Sequence, residues 1–199
     1  MIVDVGGIKV HPGVLDAGEQ AELVEQVRRV VRAAPLFRPE TKRGRKMSVR
    51  MTSAGRYGWI SDRAGYRYER HHPDGQEWPP MPALAKEVWR RVAGVSRDPQ
   101  SCLINYYDAD AKMGMHQDRD EANFEMPVVS ISLGDDALFR VGGAERGGKT
   151  QSIWLQSGDV AVMGGDARLN FHGIDRLRPG TSSLLPNGGR INLTLRVVD

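Results

Sequence analysis

The chain has 199 residues, 40% hydrophobic and 27% charged, which are globular values and enough for one substantial core. Its formal charge of +3 and isoelectric point near 9.2 permit a polyanionic partner without requiring one. The single cysteine, Cys102, excludes an internal disulfide framework, and no apolar run approaches the ~20 residues of a membrane helix. Residues Met1–Val5 carry neither the charged nor the apolar region of a signal peptide, so a cytoplasmic location is expected.

Residues 2–16 read as a short strand and turn. From Ala17 to Ala33, the apolar residues Leu23, Val24, Val27, Val30 and Val31 fall at helical spacing, which predicts a scaffold helix with one apolar face, followed by Pro35. Residues 38–50 carry Arg38, Lys42, Arg43, Arg45, Lys46 and Arg50 against Glu40 alone. Such a run is either a solvated loop or a strip that contacts phosphates. Residues 51–82 mix Tyr57, Trp59, Tyr66, Tyr68 and Trp78 with turn residues and end in Pro79-Pro80-Met81-Pro82. This stretch is expected to be a loop whose rings either stack on bases or fold onto the core. A second helix is predicted over Ala83–Val92, with Leu84, Val88 and Val92 on one face.

From Ser101 the pattern changes to short β-rich segments separated by Gly, Asp and Pro turns. Strands are predicted at 102–107, 113–118, 127–133, 136–141, 151–155, 158–163, 168–172 and 190–198. A run of strands without intervening helices suits a jelly roll or barrel-like sandwich. The expected class is mainly β with flanking helices (α+β), one domain over 1–199, with the helices packed outside the β core. Cys102, in Ser-Cys-Leu-Ile, reads as a buried strand residue.

The chemistry centres on Gly114-Met115-His116-Gln117-Asp118. On a strand, residues two apart share a face, so the His116 imidazole and the Asp118 carboxylate point at one spot. That pair is two thirds of a facial triad for non-haem Fe(II). A second match, His72-Pro73-Asp74, runs into the turn signature Pro73-Asp74-Gly75 and is expected to be structural or solvent-facing. The third ligand must come from His11, His71, His72 or His172, and in a jelly roll the sequence distance to His172 is no obstacle. Zinc also uses three protein ligands, so ligand types alone leave the metal open.

In the last strand, Arg190, Asn192, Thr194 and Arg196 alternate with Ile191, Leu193, Leu195 and Val197. If that strand is buried, two inward guanidinium groups cost several kcal/mol unless paired. Arginine binds carboxylates bidentately, so a dicarboxylate inside the core would satisfy both. Asn105 and Tyr107 share a face of an earlier strand and could add donors. The alternative is a solvent-facing edge with two ordinary surface arginines.

Several motifs taken together resemble the AlkB-type dioxygenases that repair alkylated DNA. They are Leu103-Ile104-Asn105-Tyr106-Tyr107, Ala111-Lys112, His116-Gln117-Asp118-Arg119-Asp120-Glu121, Pro127 to Gly134, Ser157-Gly158-Asp159-Val160, His172-Gly173-Ile174 and Arg190 to Arg196. Upstream, Gly58-Trp59, Gly65-Tyr66-Arg67-Tyr68 and Trp78 to Pro82 extend the likeness, which covers roughly residues 50–198.

The resemblance implies a double-stranded β-helix, Fe(II), 2-oxoglutarate and O2. His116, Asp118 and His172 match the iron ligands. Asn105, Tyr107, Arg190, Asn192 and Arg196 match the 2-oxoglutarate contacts. Trp59 and Tyr66 match a nucleotide-recognition lid within residues 1–100, with Trp59 stacking on an extruded base. Asp120 matches a carboxylate near the exocyclic amine of that base, and Arg146 and Lys112 match nucleic-acid contacts. Met163 stands where the founding bacterial member has tryptophan.

The implied activity is oxidative demethylation of 1-methyladenine or 3-methylcytosine in DNA, releasing formaldehyde, succinate and CO2. The DNA is expected to be single-stranded or to present a flipped damaged base, and the protein to act as a monomer. The alternatives are the same chemistry on RNA, a protein or a small molecule, and a non-catalytic nucleic-acid-binding module.

Overall fold

The computed structural model describes all 199 residues. The predicted strand and turn at the start are two strands, β1 (Val3–Val5) and β2 (Ile8–His11), paired antiparallel. The first helix, α1, spans Ala17–Ala33 and buries Leu23, Val24, Val27 and Val30. A capping box starts it. The Asp16 carboxylate accepts from Glu19 N–H at 2.9 Å, and the Glu19 carboxylate accepts from Asp16 N–H at 3.1 Å. The second helix, α2, spans Ala83–Val92 and buries Leu84, Val88 and Trp89. Trp89 is fully buried, and its indole N–H finds the Arg97 carbonyl at 2.9 Å.

The stretch predicted to be an aromatic loop contains three strands instead: β3 (Arg50–Gly55), β4 (Gly58–Asp62) and β5 (Gly65–Glu69). β4 and β5 pair only with each other, as a hairpin that stands off the main sheets. That isolation removes the alternating apolar face by which a strand is read in sequence. Gly58 lets the hairpin close onto the buried Trp78, whose ring would lie 2.2 Å from any Cβ there.

The remaining strands are β6 (Ser101–Tyr107), β7 (Met113–His116), β8 (Val128–Gly134), β9 (Asp136–Val141), β10 (Gln151–Leu155), β11 (Val160–Met163), β12 (His172–Arg178) and β13 (Arg190–Arg196). The predicted strand over 168–172 is displaced. Residues 165–167 form a 3-10 turn, and β12 begins only at His172. β7 also ends at His116, two residues short of the predicted 118.

The strands form two antiparallel sheets, in the order β1-β2-β11-β8-β13-β6-β3 and the order β10-β9-β12-β7. Leu103, Val128 and Met163 of the larger sheet share one apolar cluster with Ala137, Phe139 and Ile174 of the smaller. Both helices pack on the outer face of the larger sheet, against Cys102, Ile104, Leu193 and Leu195. The result is the expected jelly roll with helices outside it.

β13 lies between β8 and β6, so it is not an edge. Its apolar residues Ile191, Leu193 and Leu195 face the helices. Arg190, Asn192, Thr194 and Arg196 therefore point between the sheets, and all four are buried. The solvent-facing reading of that strand fails. No helix is long and apolar enough to cross a membrane.

Candidate metal centre and active site

The first strand residue of β12, His172, lies across from the last of β7, His116. The close approach depends on Gly173, where a Cβ would sit 2.6 Å from the Met113 carbonyl oxygen. The two imidazole centroids are 4.5 Å apart. Asp118 joins them from just beyond the end of β7, so its position does not come from strand alternation. Ligand atoms of His116, Asp118 and His172 all lie within 4.8 Å of one another.

The donor set fits a metal. His116 Nδ1 is 2.9 Å from the Gly114 carbonyl, and His172 Nδ1 is 3.0 Å from that of Asn170. These bonds place the ring proton on Nδ1 and leave Nε2 as a lone-pair donor, the arrangement that orients histidine ligands. The Nε2 atoms lie 3.7 and 3.8 Å from the two Asp118 oxygens, too far for hydrogen bonds. Burial, then the neighbouring His116, holds the His172 imidazole down at about 4, so it is neutral at pH 7. Burial pushes the Asp118 carboxyl up, but Arg196 and the two imidazoles outweigh it and hold it well below the usual carboxylate range.

The triad lies in a cavity of about 670 Å3 between the sheets, which Asn105, Tyr107, Arg190, Asn192 and Arg196 also line. Arg190 is 1% exposed and sits over the Tyr107 ring at 5.1 Å. One nitrogen, Nη2, donates to Ser132 Oγ at 3.0 Å, while Nε and Nη1 have no partner. A buried guanidinium with two orphaned donors facing a cavity calls for an anion. Burial accordingly pulls its pKa down. Asn105 and Asn192 are joined by an amide hydrogen bond of 3.0 Å on adjacent strands. Arg196 differs from Arg190. Its Nη2 lies 3.0 Å from Asp118 Oδ2 and its Nε 3.3 Å from Glu121 Oε1 without hydrogen-bond geometry, while Nη1 has no partner. Arg196 thus has two carboxylates beside it, where Arg190 has none.

The β4–β5 hairpin contributes two residues to the cavity. Trp59 and Tyr66 line it and stack at 5.5 Å with an interplanar angle of 23°. Asp120 lines it too, and accepts the Trp59 indole N–H at 2.8 Å. Arg146 reaches the cavity from the loop after β9, with its guanidinium 4.9 Å from the Phe171 ring. Lys112 does not reach it. That residue is exposed, and its backbone is tied to Ser48. Met163 lines the cavity wall.

The basic run divides. Arg38 and Arg50 both pair with Asp108, at 3.5 and 3.0 Å. Lys42 leans over Tyr66 at 5.3 Å and lines the cavity. The second His-x-Asp is structural, as expected. His72 is buried, its Nε2 2.9 Å from the Pro35 carbonyl and its Nδ1 accepting Asp74 N–H at 3.1 Å.

Three residues at the site carried no assignment from sequence: Glu121, Tyr68 and Arg168. They form a buried network behind Asp118, with Arg168 Nη2 donating to Glu121 at 2.9 Å and the Tyr68 hydroxyl donating to the same carboxylate. Glu121 had a readable signal. It follows the metal pair in a run of acids, and a buried acid there needs a cation.

Known proteins point the same way as this geometry. The family model described as the 2OG-Fe(II) oxygenase superfamily matches residues 7–196. The chain is 51% identical over 193 residues to the alpha-ketoglutarate-dependent dioxygenase AlkB homolog of Caulobacter vibrioides, covering 96% of this chain and 88% of the relative. It is 37% identical over 196 residues to the alpha-ketoglutarate-dependent dioxygenase AlkB of Escherichia coli, covering 96% and 89%. The solved structure of OsALKBH1 superposes with a TM-score of 0.80 at 29% identity, covering 98% of both chains. A 2-His-1-carboxylate triad beside a buried, half-satisfied arginine, on a jelly roll matched along nearly its whole length, places the chain in the 2OG-Fe(II) oxygenase superfamily, among its AlkB-type dioxygenases.

Proposed function

We propose that the chain oxidatively demethylates N-alkylated bases in DNA, with 1-methyladenine and 3-methylcytosine as substrates. The observation that carries this reading is the triad in one cavity with Arg190, two of whose donors are unpartnered, and with Trp59. His116, Asp118 and His172 would hold Fe(II), and two histidines with one carboxylate leave positions for a co-substrate and O2. The bound group supplies the oxidation, in which 2-oxoglutarate and O2 become succinate and CO2 while an N-methyl C–H becomes C–OH. The hydroxymethyl base then loses formaldehyde and the unmodified base is restored.

The protein's own residues bind and orient. Arg190 neutralises a 2-oxoglutarate carboxylate, with Asn105, Tyr107 and Asn192 completing the wall. Trp59 and Tyr66 offer stacking surface to a base drawn out of its strand. Asp120 accepts from an exocyclic amine, and Arg146 and Lys42 meet phosphates at the rim. A methylated ring nitrogen cannot pair, which lowers the cost of extrusion, so single-stranded DNA or a flipped lesion in a duplex is the substrate of this reading. We place the activity in the cytoplasm, carried out by a monomer.

Formaldehyde release from a 1-methyladenine oligodeoxynucleotide, with Fe(II) and 2-oxoglutarate in air, tests the proposal. Succinate formed without formaldehyde from DNA, but with product from RNA or protein, would move the activity to those substrates.

A further inference from the structure

The segment between β7 and β8, residues 117–127, carries Asp118, Asp120 and Glu121, yet has no helix or strand. Its backbone reaches the larger sheet's end through Ala122 N–H to the Val198 carbonyl at 2.9 Å. Among the side chains that tie it down, one from the turn before β12 makes three contacts along it. The Arg168 guanidinium donates from Nη1 to the Asp118 carbonyl at 2.5 Å and from Nη2 to the Glu121 carboxylate at 2.9 Å. From Nε it donates to the Met126 carbonyl at 2.9 Å. These acceptors span the segment from one end to the other. The Arg168 and Glu121 side chains are 3% and 2% exposed, and the Phe124 ring covers the guanidinium at 5.4 Å. A cation so placed is costly unless its geometry is met, and here three directions of the guanidinium fork are met.

Glu121 extends this clamp in two directions. One of its oxygens receives the Tyr68 hydroxyl from the lid hairpin and lies 3.3 Å from Arg196 Nε. The Nη2 of Arg196 is in turn 3.0 Å from Asp118 Oδ2. The metal carboxylate is thus held at its backbone by Arg168 and at its side chain by Arg196, with Glu121 between them and tied to the lid.

We propose that Arg168 is a positioning residue, which sets Asp118 against the two imidazoles and, through Glu121 and Tyr68, holds the lid hairpin in register with the metal centre. The proposal rests on the reading of the triad as a metal site. Arg168 does not line the cavity, so its effect passes through the segment it clamps. Lysine keeps the charge but reaches one acceptor rather than three.

The test is Co(II) titration of the metal-free protein by visible absorption, joined to amide hydrogen exchange over residues 58–69, for wild type, Arg168→Lys and Arg168→Met. Co(II) binding by wild type supports the metal reading, and its absence overturns that reading together with the proposal. Folded Arg168→Lys is expected to bind Co(II) about 10–100-fold more weakly, the usual effect of removing a residue that orients a ligand. Its hairpin amides are expected to exchange faster. Wild-type Co(II) affinity in folded Arg168→Lys overturns the proposal even though the metal reading stands. If both Arg168 variants fail to fold, Tyr68→Phe removes one hydroxyl at the far end of the same chain of contacts. Faster exchange of the hairpin amides in Tyr68→Phe supports the link, and unchanged exchange overturns it.

Discussion

The indole N–H of Trp59 is already bonded to the Asp120 carboxylate at 2.8 Å, which joins the lid to the segment that carries the metal ligand Asp118. The ring is held on one face by Tyr66. Trp59→Ala removes both the stacking surface and this bond, and is expected to weaken binding of a 1-methyladenine oligonucleotide. Base–aromatic stacking is worth ~1–3 kcal/mol, or roughly a 5- to 150-fold change in affinity. Trp59→Phe keeps a ring without the donor and should recover most of the loss. Anisotropy titrations separate the two, and equal affinity for Trp59→Ala and wild type would leave Trp59 a packing residue only.

His116→Ala, Asp118→Ala and His172→Ala are each expected to abolish succinate formation. Two ligands cannot hold the metal in the facial geometry that three impose. A full-rate variant among them would end the triad assignment.

Arg190 poses the opposite trade. Its guanidinium is 1% exposed with two donors unpartnered, so in the absence of a co-substrate it destabilises the fold. Arg190→Met replaces it with an apolar chain of similar length. The variant is expected to be more stable than wild type without ligands, by roughly 1–4 kcal/mol, and to lose the stabilisation that added 2-oxoglutarate gives wild type. Thermal unfolding with and without 2-oxoglutarate reads both effects. A lower Tm without ligands would mean that Arg190 is satisfied in the free protein.

Much of the fold was legible from spacing alone. α1 and α2 fall on their predicted residues because one apolar face at helical period is hard to mistake, and β9 and β10 fall on the short β-rich runs predicted between turns. The lid hairpin was missed because it pairs only with itself and buries no continuous face. The strand alternation read for His116 and Asp118 is only partly what the structure has. β7 stops at His116, so Asp118 meets the imidazoles from beyond the strand, with Arg196 against its carboxylate and Arg168 on its carbonyl. Arg168 itself could not be read from its neighbours. Its carbonyl partners lie 42 and 50 residues away, and nothing local distinguishes Ala167-Arg168-Leu169 from an ordinary turn.

The basic run should separate by salt dependence. Each phosphate contact contributes about 0.7–0.9 to the slope of log affinity against log salt. Lys42→Ala and Arg146→Ala, at the cavity rim, are expected to lower the slope by about that amount each. Arg38→Ala is expected to leave the slope alone, because Arg38 is engaged with Asp108 and with the Met47 and Ser48 carbonyls. Equal slopes for Lys42→Ala and wild type would remove Lys42 from the DNA contact surface.

Cys102 offers a probe of how the core opens. It sits on β6 between the larger sheet and the helices, fully buried, and burial pushes its thiol up to about 12. At pH 8 roughly one native thiol in ten thousand would then be ionised, and no reagent could reach it in the closed fold. Labelling by a thiol reagent should therefore proceed only through unfolding of the helix–sheet core. Its rate is expected to become independent of reagent concentration once labelling outpaces refolding. It is also expected to fall when Co(II) and 2-oxoglutarate are added, since ligands that bind only the native state stabilise it. Fast labelling that scales with reagent and ignores those ligands would show that the helix layer opens locally, without disturbing the site between the sheets.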